Sequence, residues 1–172
     1  MKKLELTDTE RLLLANQYEI LGLLKQEPSY KRLAENLRDG HKWLYEDHVI
    51  VEENLSDAEA LHVLSVLKLY DDLQSSYRLL TAKGQIKQRD VEFPGFDGNH
   101  ESRLLRFARS LHKMGHYAQT MGGGAPNSHM ETTDMYKRQL AQWNALGMPT
   151  MPFTHDQICR IVEAREHPSH VA

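Results

Sequence analysis

Apolar positions recur along this chain at three- and four-residue spacing, the period of helices that turn one face inward. The densest run, Leu12, Leu13, Leu14, Ala15, Tyr18, Ile20, Leu21, Leu23 and Leu24, follows Thr7-Asp-Thr-Glu10. That tetrad is a capping box, in which an N-cap hydroxyl and a glutamate three residues on satisfy the first free N–H groups. A helix is predicted from there through about Lys25, with an apolar arc wide enough to be buried on more than one side. Within a lone chain this makes it the central helix, and in an oligomer the arc can also serve the interface. Its polar pair, Asn16-Gln17, is expected to form a hydrogen-bonded network, in the core or across a subunit interface. Pro28-Ser29 breaks the chain, and a shorter helix with Leu33 and Leu37 ends before Gly40, a C-terminal cap.

Residues 41–55 mix Trp43, Leu44, Val49, Ile50 and Val51 with acids, which fits either a short helix or an extended crossover. Val49-Ile-Val51 is strand-like but too short to found a sheet. Ser56-Asp-Ala-Glu59 is a second capping box and opens the longest predicted helix, to about Leu80. Its stripe of Leu61, Leu64, Leu67, Tyr70, Leu73, Tyr77 and Leu80 reads as a packing seam. Gln85–Glu92 is a linker, and Gly95-Phe-Asp-Gly-Asn99 a tight reversal built on Asp-Gly and Gly-Asn steps. Helices follow at about His100 to Met114 (Leu104, Phe107, Ala108, Leu111) and Thr132 to Leu146 (Met135, Tyr136, Leu140, Trp143). Between them Gly122-Gly-Gly124-Ala-Pro126 is a loose loop. Thr154-His-Asp-Gln157, a third capping box, opens a last helix with Ile158, Ile161 and Val162. After Glu166 the tail His-Pro-Ser-His-Val-Ala reads as frayed. The expectation is all-α: one domain over residues 1–172, ordered from about 6 to 165. It is a multi-helical bundle of about six to seven helices with little or no sheet.

Composition narrows the setting. The chain has 172 residues, enough to bury a core without staples. A single cysteine, Cys159, excludes an internal disulfide and any multi-cysteine zinc site, as expected of a reducing cytoplasm. Two N-terminal lysines with no apolar segment behind them do not make a signal peptide, and no run approaches the ~20 apolar residues of a membrane span. A net charge of −3 gives no global case for nucleic acid or an anionic membrane.

The candidate chemistry is sparse. Among ten histidines, His112 and His116 share the i, i+4 spacing of two zinc ligands. The metalloprotease pattern also needs a glutamate after the first histidine, and Lys113 stands there. Leu104 occupies the place of a second histidine after His100-Glu101, so no metal site or cofactor is expected. Gly122-Gly-Gly124 lacks the following Lys and Ser/Thr of a phosphate loop. Ser128-His129 are mere neighbours, and Cys159 on the apolar side of a short helix reads as a small core residue. No catalytic residue is assigned. The sharpest signal is a basic stripe, Arg103, Arg106, Arg109 and Lys113, which suits an acidic protein partner or a phosphate backbone. The bland alternative is a solvated face with cations near a helix C-terminus. A second candidate set is Asp97, Asn99, Asn127 and His129, polar groups that could line a pocket roofed by the 119–130 loop. Asp97 and Asn99 are equally explained as turn residues.

Several segments resemble the uncharacterised bacterial YfbU-like family. They are Glu10-Arg-Leu-Leu-Leu-Ala-Asn-Gln-Tyr18, Leu67-Lys-Leu-Tyr70 with Ser76-Tyr77, and Phe93-x-Gly-Phe-Asp-Gly-Asn99 with Glu101. Asn127-Ser-His129, Tyr136 with Leu140 and Trp143, and Ile158 to Ala164 extend the likeness over about Leu6 to Ala164. The resemblance implies a small helical cytoplasmic protein that self-associates, and carries over no reaction. Some relatives look like fusions with a ribbon-helix-helix DNA-binding segment, for which the six or so residues before the first capping box are too few. The expected function is a non-enzymatic interaction or regulatory module, a homodimer or higher oligomer. Its contact surface includes segment 95–113. A nucleic-acid binder using the same stripe, or a small-molecule binder or enzyme near the 119–130 loop, are the alternatives.

Overall fold

All three capping boxes form. In each, the Thr7, Ser56 or Thr154 side chain accepts from the backbone N–H three residues on, and the Glu10, Glu59 or Gln157 side chain accepts from the cap N–H in return. A computed structural model describes residues 2–166, Lys2 and Lys3 as backbone alone. The expectation for the tail from His167 lies outside the described residues. The chain divides into two compact units, Met1–Asn54 and Leu55–Ala172.

In the first unit, helix α1 (Asp8–Lys25) packs along α2 (Pro28–Arg38), and α3 (Lys42–Tyr45) follows. Gln26 ends α1 in the left-handed region and Pro28 starts α2, where its missing N–H costs nothing. Ala15, Leu33, Ala34, Leu37, Tyr45 and Val49 form the core, with Leu14 and Tyr18 against it. The ambiguous 41–55 segment is both helix and strand: after α3, β2 (Ile50–Val51) pairs antiparallel with β1 (Lys2–Lys3).

One expectation for α1 needs correction, and another loses one of its two alternatives. Its arc is not buried on more than one side within the chain. Leu14, Ala15 and Tyr18 turn to the core, but Leu12, Leu13 and Ile20 are half exposed, and Leu23 and Leu24 are 76% exposed. The unit is too small to cover both faces, since α2 and the 42–51 strap occupy one. Nor do Asn16 and Gln17 enter the core: both are exposed, and Asn16 Oδ1 accepts from Arg38 Nη2 at 3.0 Å.

The second unit is organised on α4 (Asp57–Leu79), which touches α5 (Gln88–Val91), α6 (Ser102–Lys113), α7 (Ala118–Met121), α8 (Thr133–Ala145) and α9 (His155–Glu163). A helix surrounded in this way buries more than one stripe. Val63, Val66 and Leu69 therefore join Leu67, Tyr70, Leu73 and Tyr77 inside, while Leu61 is exposed. Buried Asp72 is neutralised by Lys68 at 2.5 Å, an i, i+4 pair. Tyr70, Phe93, Phe96 and Tyr136 form an aromatic cluster with centroids 5.3–6.0 Å apart, mostly edge-to-face. The Tyr70 hydroxyl donates to Gln139 Oε1 at 2.8 Å and accepts from Arg165 at 2.9 Å. The Tyr70 hydroxyl and both ends of the Gln139 amide thus have partners, Gln139 Nε2 donating to the Ile161 carbonyl at 3.1 Å.

The fold is helical, with nine helices among the described residues rather than six or seven. The surplus is α3, α5 and α7, each of four residues, too short for a 3.6-residue period to register.

Candidate functional site

The reversal at 95–99 is fastened to the loop before α8 by its own backbone. Phe96 and Asn127 form a parallel bridge, and Ser128 N donates to the Phe96 carbonyl at 3.2 Å. Asn127 Oδ1 accepts from Gly98 N at 2.9 Å and from His129 N at 3.0 Å, so one side chain closes both loops. Gly95 passes directly over Pro126: a Cβ there would sit 1.9 Å from the Pro126 carbonyl oxygen. The reversal needs a residue without a side chain and with φ of +92° at this crossing.

Beneath the crossing lies Glu101, the residue that sequence reasoning missed. Its carboxylate accepts four hydrogen bonds: Asp97 N at 2.9 Å, Thr132 N at 2.9 Å, Thr133 N at 2.7 Å and the Thr132 hydroxyl at 2.8 Å. Thr132 and Thr133 begin α8, so Glu101 supplies that helix with the N-terminal acceptor its own cap side chain does not. Burial works to raise the Glu101 pKa, but the bonds from Thr133, Asp97 and Thr132 outweigh it and hold the carboxyl below the ordinary value. The Tyr136 hydroxyl completes the knot by donating to the Gly95 carbonyl at 2.5 Å. In the sequence Glu101 is a glutamate four residues after Asp97 that shares in the family resemblance, and neither signal specifies a partner thirty residues away.

The four predicted pocket residues fall into two kinds. Asp97 is 2% exposed and turns Oδ2 onto His100, 2.9 Å from its N–H and 2.7 Å from Nδ1. Asn127 is part of the crossing. Asn99 and His129 are exposed. The structure thus brings Asp97 and Asn127 into adjoining turns as structural groups, and the cleft described below is lined by none of the four.

His100 sits beside Asp97 with Glu131 at 3.7 Å, and its pKa is raised, first by the Asp97 hydrogen bond and then by the charges of Asp97, Glu131 and Glu101. Asp97 is held low chiefly by the His100 N–H. The sign follows: the histidine's contribution is complete below its unfolded pKa of about 6.5 and is lost as pH rises through the folded value. The aspartate's contribution is lost as pH falls through its own. We expect an NMR titration of the His100 ring to give a pKa above that of an unperturbed histidine, and Asp97→Asn to bring it down. An equal titration in both proteins would remove the pair from the account.

The basic stripe maps onto α6. Arg106, Arg109 and Lys113 are exposed on one face, while Arg103 is half-buried and pairs with Glu59 at 3.5 Å. Arg109 Nε donates to the Ala125 carbonyl at 3.2 Å, and His112 Nε2 lies 3.0 Å from the Gly122 carbonyl. These contacts hold the glycine loop against α6 and frame a cleft of about 440 Å³ lined by Arg109, His112, Lys113, Gly123, Gly124 and Ala125. His116 falls beyond the end of α6 at Lys113, so it does not extend the His112 face. Among the described residues no group of three or more His, Cys, Asp or Glu side chains could hold a metal ion. Cys159 packs against the core with Sγ 3.7 Å from His155 Nδ1. Burial pushes its thiol pKa up, and Glu163 and Asp156 add to the shift, which favours the protonated thiol. No helix among the described residues is long and apolar enough to cross a membrane.

Comparison with known proteins bears out the family likeness. The YfbU domain profile matches residues 4–164. A UPF0304 protein of Histophilus somni (strain 2336) is 32% identical over 146 residues, covering 83% of this chain and 89% of the relative. A UPF0304 protein of Mannheimia succiniciproducens is 31% identical over the same length. The family is not confined to bacteria: a UPF0304 protein of the archaeon Methanocaldococcus jannaschii is 28% identical over 171 residues, covering 92% of this chain and 99% of that one. These names state a family and no reaction. With its matched span running from α1 through α9, the chain belongs to the YfbU family.

Proposed function

We propose that this chain is a non-enzymatic, cytoplasmic interaction module that self-associates and offers the basic face of α6 to an acidic protein partner. The observation that carries the reading is the placement of Arg106, Arg109 and Lys113 along one exposed helix face beside the cleft framed by the glycine loop. A row of cations at helical spacing matches carboxylates on an extended acidic segment, and such rim charges govern association rate and partner choice. Arg103 belongs to the same stripe but is committed to Glu59, whose carboxylate also caps α4. Reversing Arg103 would place two carboxylates together and disturb that cap.

The test is Arg106→Glu with Lys113→Glu, read by fluorescence anisotropy with labelled poly-glutamate. The double variant should lose at least about 10-fold in affinity while its helical circular dichroism is unchanged. Retained binding would show that the surface is wrongly assigned. A nucleic-acid role for the same stripe is separated by a labelled single-stranded oligonucleotide. Binding that falls steeply between low and moderate salt, and exceeds that of poly-glutamate, would transfer the face to phosphate recognition.

A further inference from the structure

We propose that the exposed face of α1 is the docking surface for a second copy of this chain, the two α1 helices crossing antiparallel about a two-fold axis near position 18. The inference rests on the self-association reading above and names its surface.

The face is apolar where a lone chain would carry charge. Leu12, Leu13, Asn16, Gln17, Ile20, Leu23 and Leu24 lie on one side of the helix, opposite the core-facing Leu14, Ala15 and Tyr18. Five of those seven are large hydrophobics left at least half exposed by the fold. Together they present of order 500 Å² of apolar surface, the upper end of what a monomer leaves uncovered. Two such faces in contact bury about 1,000 Å², the size a specific interface has to reach.

The spacing selects a copy of the same helix as occupant. Leu13, Asn16, Ile20 and Leu23 follow the three-four-three alternation of a helix–helix seam. Flanked by Leu12 and Leu24, these positions are spaced symmetrically about position 18, with leucine at both members of the 12/24 and 13/23 pairs and Asn16 opposite Ile20. A two-fold axis across antiparallel helices pairs each residue with the partner's residue equally far from the centre, so seam positions placed symmetrically face one another. Leu13 meets the partner's Leu23 and Asn16 meets the partner's Ile20. Asn16 enters this seam with its side-chain oxygen already bound by Arg38, which also pairs with Glu19, so closure strands no acceptor.

Charge selects the direction. The N-terminal turn carries Asp8 and Glu10 and the last turn carries Lys25. Antiparallel pairing sets acidic ends near the partner's basic ends and opposes the helix dipoles, whereas a parallel pair would collect like charges at both ends.

The experiment is light scattering coupled to size exclusion on the full chain, wild type against Ile20→Glu, with circular dichroism to establish that the variant is folded. The wild type is expected as a dimer or multiple of it. The variant should lose a subunit contact, its dissociation constant rising at least about 100-fold as two carboxylates are forced into an apolar seam. A wild type that is monomeric throughout the accessible concentration range overturns both the self-association reading and the seam. An assembly that Ile20→Glu leaves intact overturns the seam alone and keeps self-association. Direction and register are read separately in a Cys159→Ser background. There Leu13→Cys combined with Leu23→Cys should form a disulfide-linked dimer on mild oxidation, and Leu13→Cys alone should not. Cross-linking of the single variant would make the pair parallel and overturn the proposal. This second readout also decides the matter if Ile20→Glu fails to fold.

Discussion

Replacing Gly95 by alanine should unfold the second unit rather than merely loosen it. The added Cβ would stand 1.9 Å from the Pro126 carbonyl oxygen and 2.6 Å from its carbon, and neither is a side-chain end that can swing aside. Both atoms belong to backbone held by the Phe96–Asn127 bridge, and the Gly95 carbonyl itself is gripped by Tyr136. Relief therefore requires the two loops to part, which strands the Glu101 acceptors and opens the floor of the aromatic cluster. The loss should exceed about 4 kcal/mol, the range reached only when packing or backbone geometry is broken outright. Gly122→Ala is the control. Its φ of +57° is also left-handed, but no atom lies within 4 Å of the position where its Cβ would go. That substitution should cost only the conformational penalty of about 1–2 kcal/mol. Thermal denaturation of both variants measures the contrast; comparable losses would show that the crossing over Pro126 is not the reason for glycine at position 95.

What could be read from the sequence, and what could not, divides by distance along the chain. The three capping boxes are contained within four residues each, so Thr7, Ser56 and Thr154 announced their helices directly. The long helices α1, α2, α4, α6, α8 and α9 each repeat their apolar spacing often enough to be recognised. Periodicity does not reveal what covers a face. The leucines of α1 looked like a helix buried on more than one side, and only the packing of α2 and the 42–51 strap shows which half faces inward. The stripe on α4 misplaced its buried edge for the same reason: five neighbouring helices surround it, and none is encoded within α4. Asp97 and Asn127 invite a pocket reading and a turn reading alike, because turn chemistry and ligand chemistry use the same residues. Asp97 and Asn127 had the polarity of a binding site and spend it on backbone N–H groups. Glu101 was the reverse case, an ordinary glutamate on any reading of its neighbours, made central by Thr132 and Thr133 arriving from the start of another helix.

Glu101→Gln tests that centrality with the smallest possible change in shape. The carboxylate offers two acceptor oxygens to Asp97 N, Thr132 N, Thr133 N and the Thr132 hydroxyl. An amide keeps only one of those oxygens. Whichever way it is turned, its NH₂ group faces backbone N–H donors, either those of Thr132 and Thr133 or that of Asp97. The Thr132 hydroxyl alone can adapt, because it also lies 3.0 Å from the Gly95 carbonyl and can give its proton there. Stranded buried N–H groups cost about 1–3 kcal/mol each, and loss of the negative charge removes the charge-assisted part of every surviving bond. The favourable orientation is the one that strands Asp97 N and keeps the α8 cap. On that basis the loss should be about 3 kcal/mol, a fall of roughly 6–12 °C in melting temperature for a protein of this size. Acid provides an independent check. Because the folded protein holds the Glu101 pKa below its unfolded value, this contribution is present above the unfolded pKa and disappears as pH falls through the folded one. The stability gap between wild type and Glu101→Gln should therefore be constant near neutrality and close progressively in acid. A gap under about 1 kcal/mol at neutral pH, or one unmoved by acid, would reduce Glu101 to a surface residue that happens to lie beneath a turn.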